Sequence, residues 1–242
     1  MKDYCGWRAR IGLIYIASST VMEPEFYAMA PEGVSVHSTR MHLPEASVEG
    51  LTTLMEADRV EEAAALLAKG PMDVITFGGT SATFLEGLGN DIKTIERIES
   101  VSGGISGSAT STAAVRALKA LGVTKLCFVG PYISEVTERG RRFFGQSGFE
   151  MTGAHGMEVR GDLDINAISL EQTYAFAKAR VEPECDGVFI SCTGLRTVGA
   201  IEALEQDLGK PVVSAVQATF WDALRLAGVG DHVKGFGSLF EH

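Results

Sequence analysis

The sequence contains no apolar run approaching the roughly 18 residues that a bilayer-spanning helix requires, so we expect no membrane partner. Basic residues are also scarce. The chain has 21 lysines and arginines but 31 aspartates and glutamates, which gives a formal net charge of -10. Such a field repels a phosphate backbone, and we expect no nucleic-acid partner. With 45% hydrophobic residues, the 242-residue chain can still bury a sizeable core.

Cysteine and histidine are few and widely separated. No CxxC or HExxH spacing occurs, so no metal site is expected from Cys5, Cys127, Cys185, Cys192 and histidines 37, 42, 155, 232 and 242. Free thiols are the default in a cytoplasmic protein of this size, and we expect that location. The short apolar run after Arg10 has no convincing cleavage site behind it, so it is interpreted as a buried strand and not as a signal peptide.

Common nucleotide-binding and esterase motifs are missing too. The sequence has no GxxxxGK[ST], no GxGxxG and no GxSxG. The stretch GGISGSATS at 103–111 is interpreted as the N-terminal cap of a helix over 107–121. The alternative is that the free N–H groups of that helix hold an anion.

Short apolar runs alternate with amphipathic stretches along the chain. The runs predict strands at 10–17, 34–39, 72–78, 125–130, 149–157, 187–192 and 211–215. Helical periodicity predicts helices at 48–69, 107–121, 133–147, 169–180, 197–208 and 217–228. This alternation predicts an α/β fold with parallel strands and right-handed crossovers.

Two segments of the chain share one plan. DVITFGGTSAT at 73–83 and DGVFISCTGLRT at 186–197 each contain an aspartate, an apolar strand, a turn of small residues and a helix start. The match indicates two similar halves facing each other across a cleft, with chance similarity between buried strands as the alternative. Ligands of α/β sheets bind beyond the carboxyl ends of strands, which places a candidate site at these two turns.

The two turns carry groups that suit a carboxylate. We expect the N–H groups of Thr80, Ser81, Thr193 and Gly194, and the three hydroxyls among these residues, to point into the cleft. Such donors would hold a carboxylate, and an enediolate better still. Cys192 is interpreted as lying at a helix start, which favours a thiolate that exchanges a proton with carbon.

Tyr132 follows another predicted strand, in VGPYISEV, and is a candidate donor of its phenolic O–H to the same oxygens. A structural role is the alternative for Tyr132 and Cys192, since tyrosine is common at strand ends and free cysteine is commonly buried. Cys192 stands between Ser191 and Thr193 and not inside the apolar run, which favours the catalytic interpretation.

The segments GGTSATF, GPYISEVTERGRRFF, DGVFISCTGLRT and GKPVVSAVQATFWDALRLAG occur together in this chain. In combination they resemble the aspartate/glutamate racemase superfamily, in the branch of arylmalonate decarboxylase, maleate cis-trans isomerase and the ectoine-utilisation racemase-like proteins. The last segment, with GFGSLFE, is especially similar to arylmalonate decarboxylase. SSTVMEPEF at 18–26 is similar to a segment of the isomerases.

The resemblance implies two Rossmann-like parallel-sheet halves related by a pseudo-twofold axis, with the active site in the cleft between them. It also implies an enzyme that needs no cofactor and no metal. We accordingly predict a first half made of 1–112 plus 217–242 and a second half made of 113–216. Racemases and isomerases of this kind usually carry a cysteine at each strand tip. Here the first tip has Gly79 and the second has Cys192, the pattern of arylmalonate decarboxylase.

Carried over residue by residue, the resemblance makes Cys192 the proton donor to an enediolate. The dioxyanion hole is then formed by Thr80, Ser81, Tyr132 and the backbone of Cys192 and Thr193.

Some positions depart from the decarboxylase pattern. The proline pair after the first strand is replaced by Ile16-Ala17, and the isomerases' carboxylate-binding asparagine falls at about Ser19. CTGLR at 192–196 is nearer to the ectoine-associated proteins. Arg196 is interpreted as a ligand for a second carboxylate or, alternatively, as a surface arginine.

Three functions remain open at this point. The first is a cofactor-free decarboxylase of a malonate-like small dicarboxylic acid, with Cys192 as the proton donor. The second is a maleate cis-trans isomerase or an Asp/Glu-type racemase using Cys192, which Gly79 disfavours. The third is a non-catalytic carboxylate-binding protein. In each case the partner is a small carboxylate or dicarboxylate, and a homo-oligomer is left open.

Overall fold

The computed structural model describes residues 3–43, 45, 47–56 and 58–242. Its first sheet has the strand order β2-β1-β3-β4, with every pair parallel. The strands are β1 (Ala9–Ile16), β2 (Val34–Met41), β3 (Val74–Gly78) and β4 (Ser106–Ala109). The central strands β1 and β3 are buried almost throughout, as parallel strands covered by helices on both faces should be.

The second sheet repeats this arrangement in the order β6-β5-β7-β8, again with parallel pairs. Its strands are β5 (Lys125–Gly130), β6 (Glu150–Gly156), β7 (Gly187–Ile190) and β8 (Val212–Ser214). In each sheet the first strand along the chain lies between the second and the third, and the fourth lies at the edge. The prediction of an α/β fold with two parallel-sheet halves is therefore confirmed.

Helices cover the faces of both sheets. In the described residues they are α1 (Met22–Met29), α2 (Val48–Met55), α3 (Arg59–Leu67), α4 (Thr80–Phe84), α5 (Asn90–Val101), α6 (Thr110–Ala120), α7 (Ser134–Gln146), α8 (Asp162–Ala167), α9 (Leu170–Arg180), α10 (Val198–Leu208) and α11 (Ala215–Leu226), followed by a 3-10 turn (Ser238–Glu241). Helices α9 and α11 each begin with a capping box, Ser169 with Gln172 and Ser214 with Gln217. No helix among the described residues is both long enough and apolar enough to cross a membrane.

The glycine- and serine-rich stretch before α6 differs from its prediction. Residues 106–109 form the edge strand β4, in which Ser108 pairs with Thr76 of β3, and α6 begins only at Thr110 without a side-chain cap. The Thr110 hydroxyl donates instead to the carbonyl of Phe77, at 2.9 Å. The expected cap is therefore wrong, because these side chains have other partners. Thr110 bonds to β3, Ser111 donates to the carbonyl of Thr80, and Ser108 donates to Asp222 of α11.

Two other predicted elements have different boundaries. The helix expected over 48–69 is interrupted, because Glu56 adopts an extended backbone between α2 and α3. The strand expected to reach residue 192 ends at Ile190.

Helices α1, α4, α5 and α8 were not predicted from the sequence. Helix α1 contains Pro24 in its first turn, where proline is tolerated although it hides the helical pattern.

Aromatic contacts join the two halves and attach helix α11 to the first sheet. Phe84, at the end of α4, packs edge-on against Tyr132 with ring centroids 6.1 Å apart. Helix α11 follows β8 of the second sheet yet packs against α1, α6 and β3 of the first. Phe220 of α11 contacts Phe26 of α1, with ring centroids 4.8 Å apart. The division at residues 112 and 217 stays a prediction.

Candidate active site

A pocket lies where the carboxyl ends of β3 and β7 approach each other. It holds about 400 Å³ of space outside the protein atoms, including its open mouth. All the residues that the sequence placed in the site line it: Ser19, Gly79, Thr80, Ser81, Tyr132, Cys192 and Thr193. Gly194 lines it as well.

Arg196 lies elsewhere. Its side chain is exposed, and it lines a separate groove with Glu25 and Leu170 on the outside of the molecule. The interpretation of Arg196 as a ligand for a second carboxylate is therefore not supported by its position, whereas a surface role is.

Cys192 has an unusual backbone conformation. The Ser191 N–H still donates to the carbonyl of Val129 at 2.8 Å, and Cys192 then turns out of the strand with φ +97°. Few residues other than glycine adopt this conformation, and such strain concentrates at functional sites. Helix α10 begins only at Val198, so the interpretation of Cys192 as a helix start is wrong.

The Cys192 thiol lies in surroundings that oppose its ionisation. Burial raises its pKa to about 12, although the N–H groups of Gly194 and Leu195 point toward the sulfur and oppose the shift. The negative charge of Asp162 acts in the same direction as burial. Burial therefore favours the protonated thiol over the expected thiolate in the free protein.

Tyr132 lies beside the thiol. Its hydroxyl is 3.2 Å from Oγ of Ser191 and also interacts with the hydroxyl of Ser81 and the thiol of Cys192. Burial, followed by the neighbouring Cys192, raises the pKa of Tyr132 well above its usual value. The phenol therefore keeps its proton and can donate a hydrogen bond to an anionic ligand.

Thr80 presents a buried hydroxyl without a partner. Its Oγ1 accepts and donates no hydrogen bond among the described residues, although Thr80 is only 1% exposed. Leaving such a group unsatisfied costs about 1–3 kcal/mol. The Thr80 carbonyl, in contrast, accepts from the hydroxyls of Thr83 at 3.0 Å and Ser111 at 3.1 Å, which fixes the turn. The free hydroxyl therefore points to an external acceptor such as a carboxylate.

The hydroxyl of Thr193 has a different use from the one expected. It donates to the carbonyl of Gly78 at 3.2 Å, across the cleft. The expectation that this hydroxyl binds the ligand is not supported, which leaves the N–H group of Thr193 for that role.

Gly79 has no space for a side chain. A Cβ atom on this residue would lie 2.6 Å from Cε1 of Phe77, closer than carbon atoms approach. Phe77 is fully buried in β3. A second thiol at this tip would therefore require Phe77 to move.

Apart from Ile16, the sequence did not reveal the rest of the pocket wall. Most of it is apolar, formed by Ile16, Leu43, Leu51, Ala82 and Ile165. No lysine, arginine or histidine belongs to the described lining, whereas Asp162 does. Asp162 accepts a hydrogen bond from Ser18, and burial raises its pKa. Leu51 lay on a predicted helix, but nothing near Asp162 in the sequence signals a site.

Glu25 is another residue that the sequence did not reveal. Its carboxylate accepts from the N–H groups of Thr197 at 2.7 Å and Val198 at 3.3 Å, and from the Thr197 hydroxyl at 3.1 Å. It thus caps α10 from α1 and holds the turn that follows Cys192. Burial raises the pKa of Glu25 to about 7 in spite of these hydrogen bonds.

Comparison with known proteins agrees with this geometry. The family model described as arylmalonate decarboxylase matches residues 11–240. The chain belongs to the arylmalonate decarboxylase family.

The chain is similar to two kinds of enzyme, arylmalonate decarboxylases and maleate isomerases. Arylmalonate decarboxylase of Bordetella bronchiseptica is 34% identical over 200 residues, which is 80% of this chain and 80% of the relative. Maleate isomerase of Geobacillus stearothermophilus is 26% identical over 243 residues, covering 95% and 96% of the two chains.

Solved structures of both groups share the fold. Arylmalonate decarboxylase, as a double mutant in the liganded form, has a TM-score of 0.89 and 28% identity over 96% of this chain and 99% of its own. The maleate cis-trans isomerase of Nocardia farcinica with a covalently bound succinylcysteine intermediate has a TM-score of 0.90 and 25% identity, covering 96% and 98%. These values place the chain in an enzyme family without deciding between its two chemistries.

The backbone strain at Cys192 predicts that glycine is more stabilising than alanine at this position, the reverse of the usual order. Cys192→Gly should have a free energy of unfolding about 1 kcal/mol above that of Cys192→Ala, because glycine adopts positive φ without steric cost. Urea denaturation measures both values. At Cys127, inside strand β5, the same pair should show the opposite order. If the alanine variant were the more stable one at both positions, the backbone strain at Cys192 would be contradicted.

Glu25 predicts a pH-dependent contribution to stability. A folded-state pKa of about 7 lies above the ordinary value of 4.5, so protonation favours the folded state below pH 4.5. That contribution disappears as the pH rises through 7. The free energy of unfolding of wild type minus that of Glu25→Gln should therefore be about 2 kcal/mol more positive at pH 5 than at pH 8. Urea denaturation at the two pH values measures this difference in the free energy of unfolding. The same difference at pH 5 and pH 8 would be incompatible with a raised pKa for the buried carboxyl of Glu25.

Proposed function

We propose that this protein is a cofactor-free decarboxylase of a malonate-like small dicarboxylic acid, with an enediolate intermediate that Cys192 protonates. The observation that carries the proposal is a neutral thiol in a pocket with hydrogen-bond donors, among them the unpartnered hydroxyl of Thr80. A protonated donor next to a prepared oxyanion site suits protonation of carbon.

The reaction then needs two steps. In the first, the bond between the α-carbon and one carboxyl group breaks, carbon dioxide leaves, and the bonding electrons form an enediolate with the remaining carboxylate. In the second, the α-carbon takes the proton of Cys192, and the resulting thiolate regains a proton from water. The donors for the enediolate oxygens are the hydroxyls of Thr80, Ser81 and Tyr132 and the N–H of Thr193.

The apolar wall supports loss of one carboxylate. A substrate carboxylate facing Leu43, Leu51 and Ile165 would meet no cation of the described pocket lining. Removing a carboxylate from water without a partner raises its free energy, and departure as neutral carbon dioxide relieves that penalty. A substrate that keeps both carboxylates through the reaction gains nothing from this wall.

Maleate isomerisation is the second candidate, favoured by the similarity to maleate isomerases. Addition of sulfur to an alkene requires a thiolate, and the pKa of about 12 opposes its formation in the free protein. Racemisation with a thiol on each face is less favoured, because Phe77 occupies the space beside Gly79. A carboxylate-binding protein without catalysis remains an outcome of the tests. Cytoplasmic location and a homo-oligomer stay predictions.

The role of Cys192 can be tested by carbon dioxide release from a panel of aryl- and alkylmalonates. Wild type should release carbon dioxide, and Cys192→Ala should be slower by at least about 100-fold, the usual contribution of a proton donor. In heavy water the product should gain deuterium at the α-carbon on one face. Cys5→Ser, which changes an exposed thiol, serves as the control and should keep the activity.

Three outcomes would contradict the proposal. They are an unchanged rate in Cys192→Ala, conversion of maleate to fumarate without release of carbon dioxide, and binding of dicarboxylates without turnover.

Thr80 and Thr76 form a matched pair for the oxyanion site, because both carry a buried hydroxyl without a partner and only Thr80 lines the pocket. Thr80→Val should lower kcat/KM about 10-fold or more without loss of stability. Thr76→Val should leave kcat/KM unchanged. Steady-state kinetics with thermal unfolding measures both effects, and equal activity of the two variants would remove Thr80 from the site.

A further inference from the structure

A second cluster of reactive side chains lies outside the pocket. It consists of Cys127 on β5, His155 on β6 and Glu182 in the loop after α9. Their ligand atoms, one from each residue, all lie within 4.8 Å of one another. None of the three lines the pocket around Cys192. We propose that Cys127, His155 and Glu182 bind a zinc ion.

A bulge in the second sheet brings the first two residues together. Along β5 and β6, Leu126 pairs with Met151 but Cys127 pairs with Gly153, so one extra residue is inserted in β6. Side chains alternate between the faces of a sheet, and the inserted residue moves His155 to the face that carries Cys127. Without it, His155 would lie on the opposite face. Bulges of this kind often re-aim side chains beside functional sites.

Gly153 provides the space for the third ligand. A Cβ atom on Gly153 would lie 2.0 Å from Oε1 of Glu182 and 2.5 Å from Oε2. Any side chain at this position would displace the carboxylate from Cys127 and His155. The Glu182 Oε2 atom is buried without a nitrogen or oxygen partner among the described residues, and Oε1 contacts Nε2 of His155 at 2.6 Å. The Cys127 thiol also interacts with this carboxylate, which places all three groups against one another. The cluster therefore has an oxygen available for a cation.

Lys210 holds the backbone of the loop that carries Glu182. Lys210 donates from Nζ to the carbonyls of Glu182 at 3.1 Å and Pro183 at 2.8 Å, and approaches Sγ of Cys185 at 3.5 Å. These bonds fix the backbone of the loop and leave the carboxylate free to turn toward the ion. They also direct the lysine charge toward carbonyl oxygens.

The donor set selects the metal. One sulfur, one imidazole nitrogen and one carboxylate oxygen suit zinc, whereas calcium and magnesium prefer oxygen alone. Cys127 is fully buried, but the side chains of His155 and Glu182 are 30% and 22% exposed, which gives a path from solvent and room for water as a fourth ligand. On binding, the Cys127 thiol releases its proton to solvent, a ring nitrogen of His155 gives its lone pair to the ion, and the hydrogen bond between His155 and Glu182 opens.

Binding would tie the edge strand β6 to β5 and to the loop before β7. The expected consequence is higher stability, with no part in the chemistry at Cys192. No metal site was expected from the sequence, because residues 127, 155 and 182 match no ligand motif. The ligands are instead brought together by strand pairing and by the bulge.

Cobalt serves as a spectroscopic probe for this site. Metal-free full-length protein titrated with Co²⁺ should bind one ion per chain with a thiolate-to-cobalt charge-transfer band, which Zn²⁺ should abolish. Cys127→Ser should lack the band, and His155→Gln should bind at least about tenfold more weakly. Cys5→Ser and Cys192→Ser should keep the band, which distinguishes this site from the other thiols.

Thermal unfolding gives an independent measure that does not depend on the buried cysteine variant. Zn²⁺ at about 100 times its dissociation constant should raise the melting temperature of wild type by about 5 °C or more at pH 7.5. The increase should be absent in His155→Gln, and it should disappear for wild type at pH 5, where the Cys127 sulfur retains its proton. No charge-transfer band in wild type, or a band that persists in Cys127→Ser or is lost in Cys192→Ser, would overturn the proposal.

Discussion

A hydrogen bond from the Thr193 hydroxyl to the carbonyl of Gly78 joins the two strand tips on which the candidate site is built. Gly78 ends β3 and Thr193 directly follows Cys192, so this bond fixes the distance between the two strand tips. The edge-on packing of Phe84 against Tyr132 acts in the same direction. Together they bring the thiol, the phenol and the first turn of α4 into one enclosed space, whose burial keeps the thiol protonated.

Much of the fold and of the site could be predicted from the sequence. The strands are apolar runs separated by amphipathic stretches, which is a strong pattern for parallel sheets. The residues of the two turns were identifiable because they come directly after such runs, where parallel strands end together. The edge strand β4 was hidden, since its sequence SGSA has neither apolar alternation nor β-branched residues.

Other features of the site depend on packing between segments that are distant in sequence. Asp162 faces Cys192 because α8 lies over the pocket, and Glu25 caps α10 from a helix more than 170 residues earlier in the chain. The expectation of a thiolate at Cys192 was wrong for the same reason. Its helix-start interpretation came from local sequence, whereas the burial that determines the pKa comes from both halves.

The position of α11 has a consequence for how the protein is made. Phe26, near the start of the chain, is buried against Phe220, and α11 packs on three elements of the first sheet. During synthesis the first half cannot complete this part of its core until residue 220 has left the ribosome. The core beneath α1 is therefore completed only after most of the second half has been synthesised. A nascent chain arrested before α11 would leave the face of α1 that carries Phe26 uncovered, and exposed apolar surface of this kind is prone to aggregation.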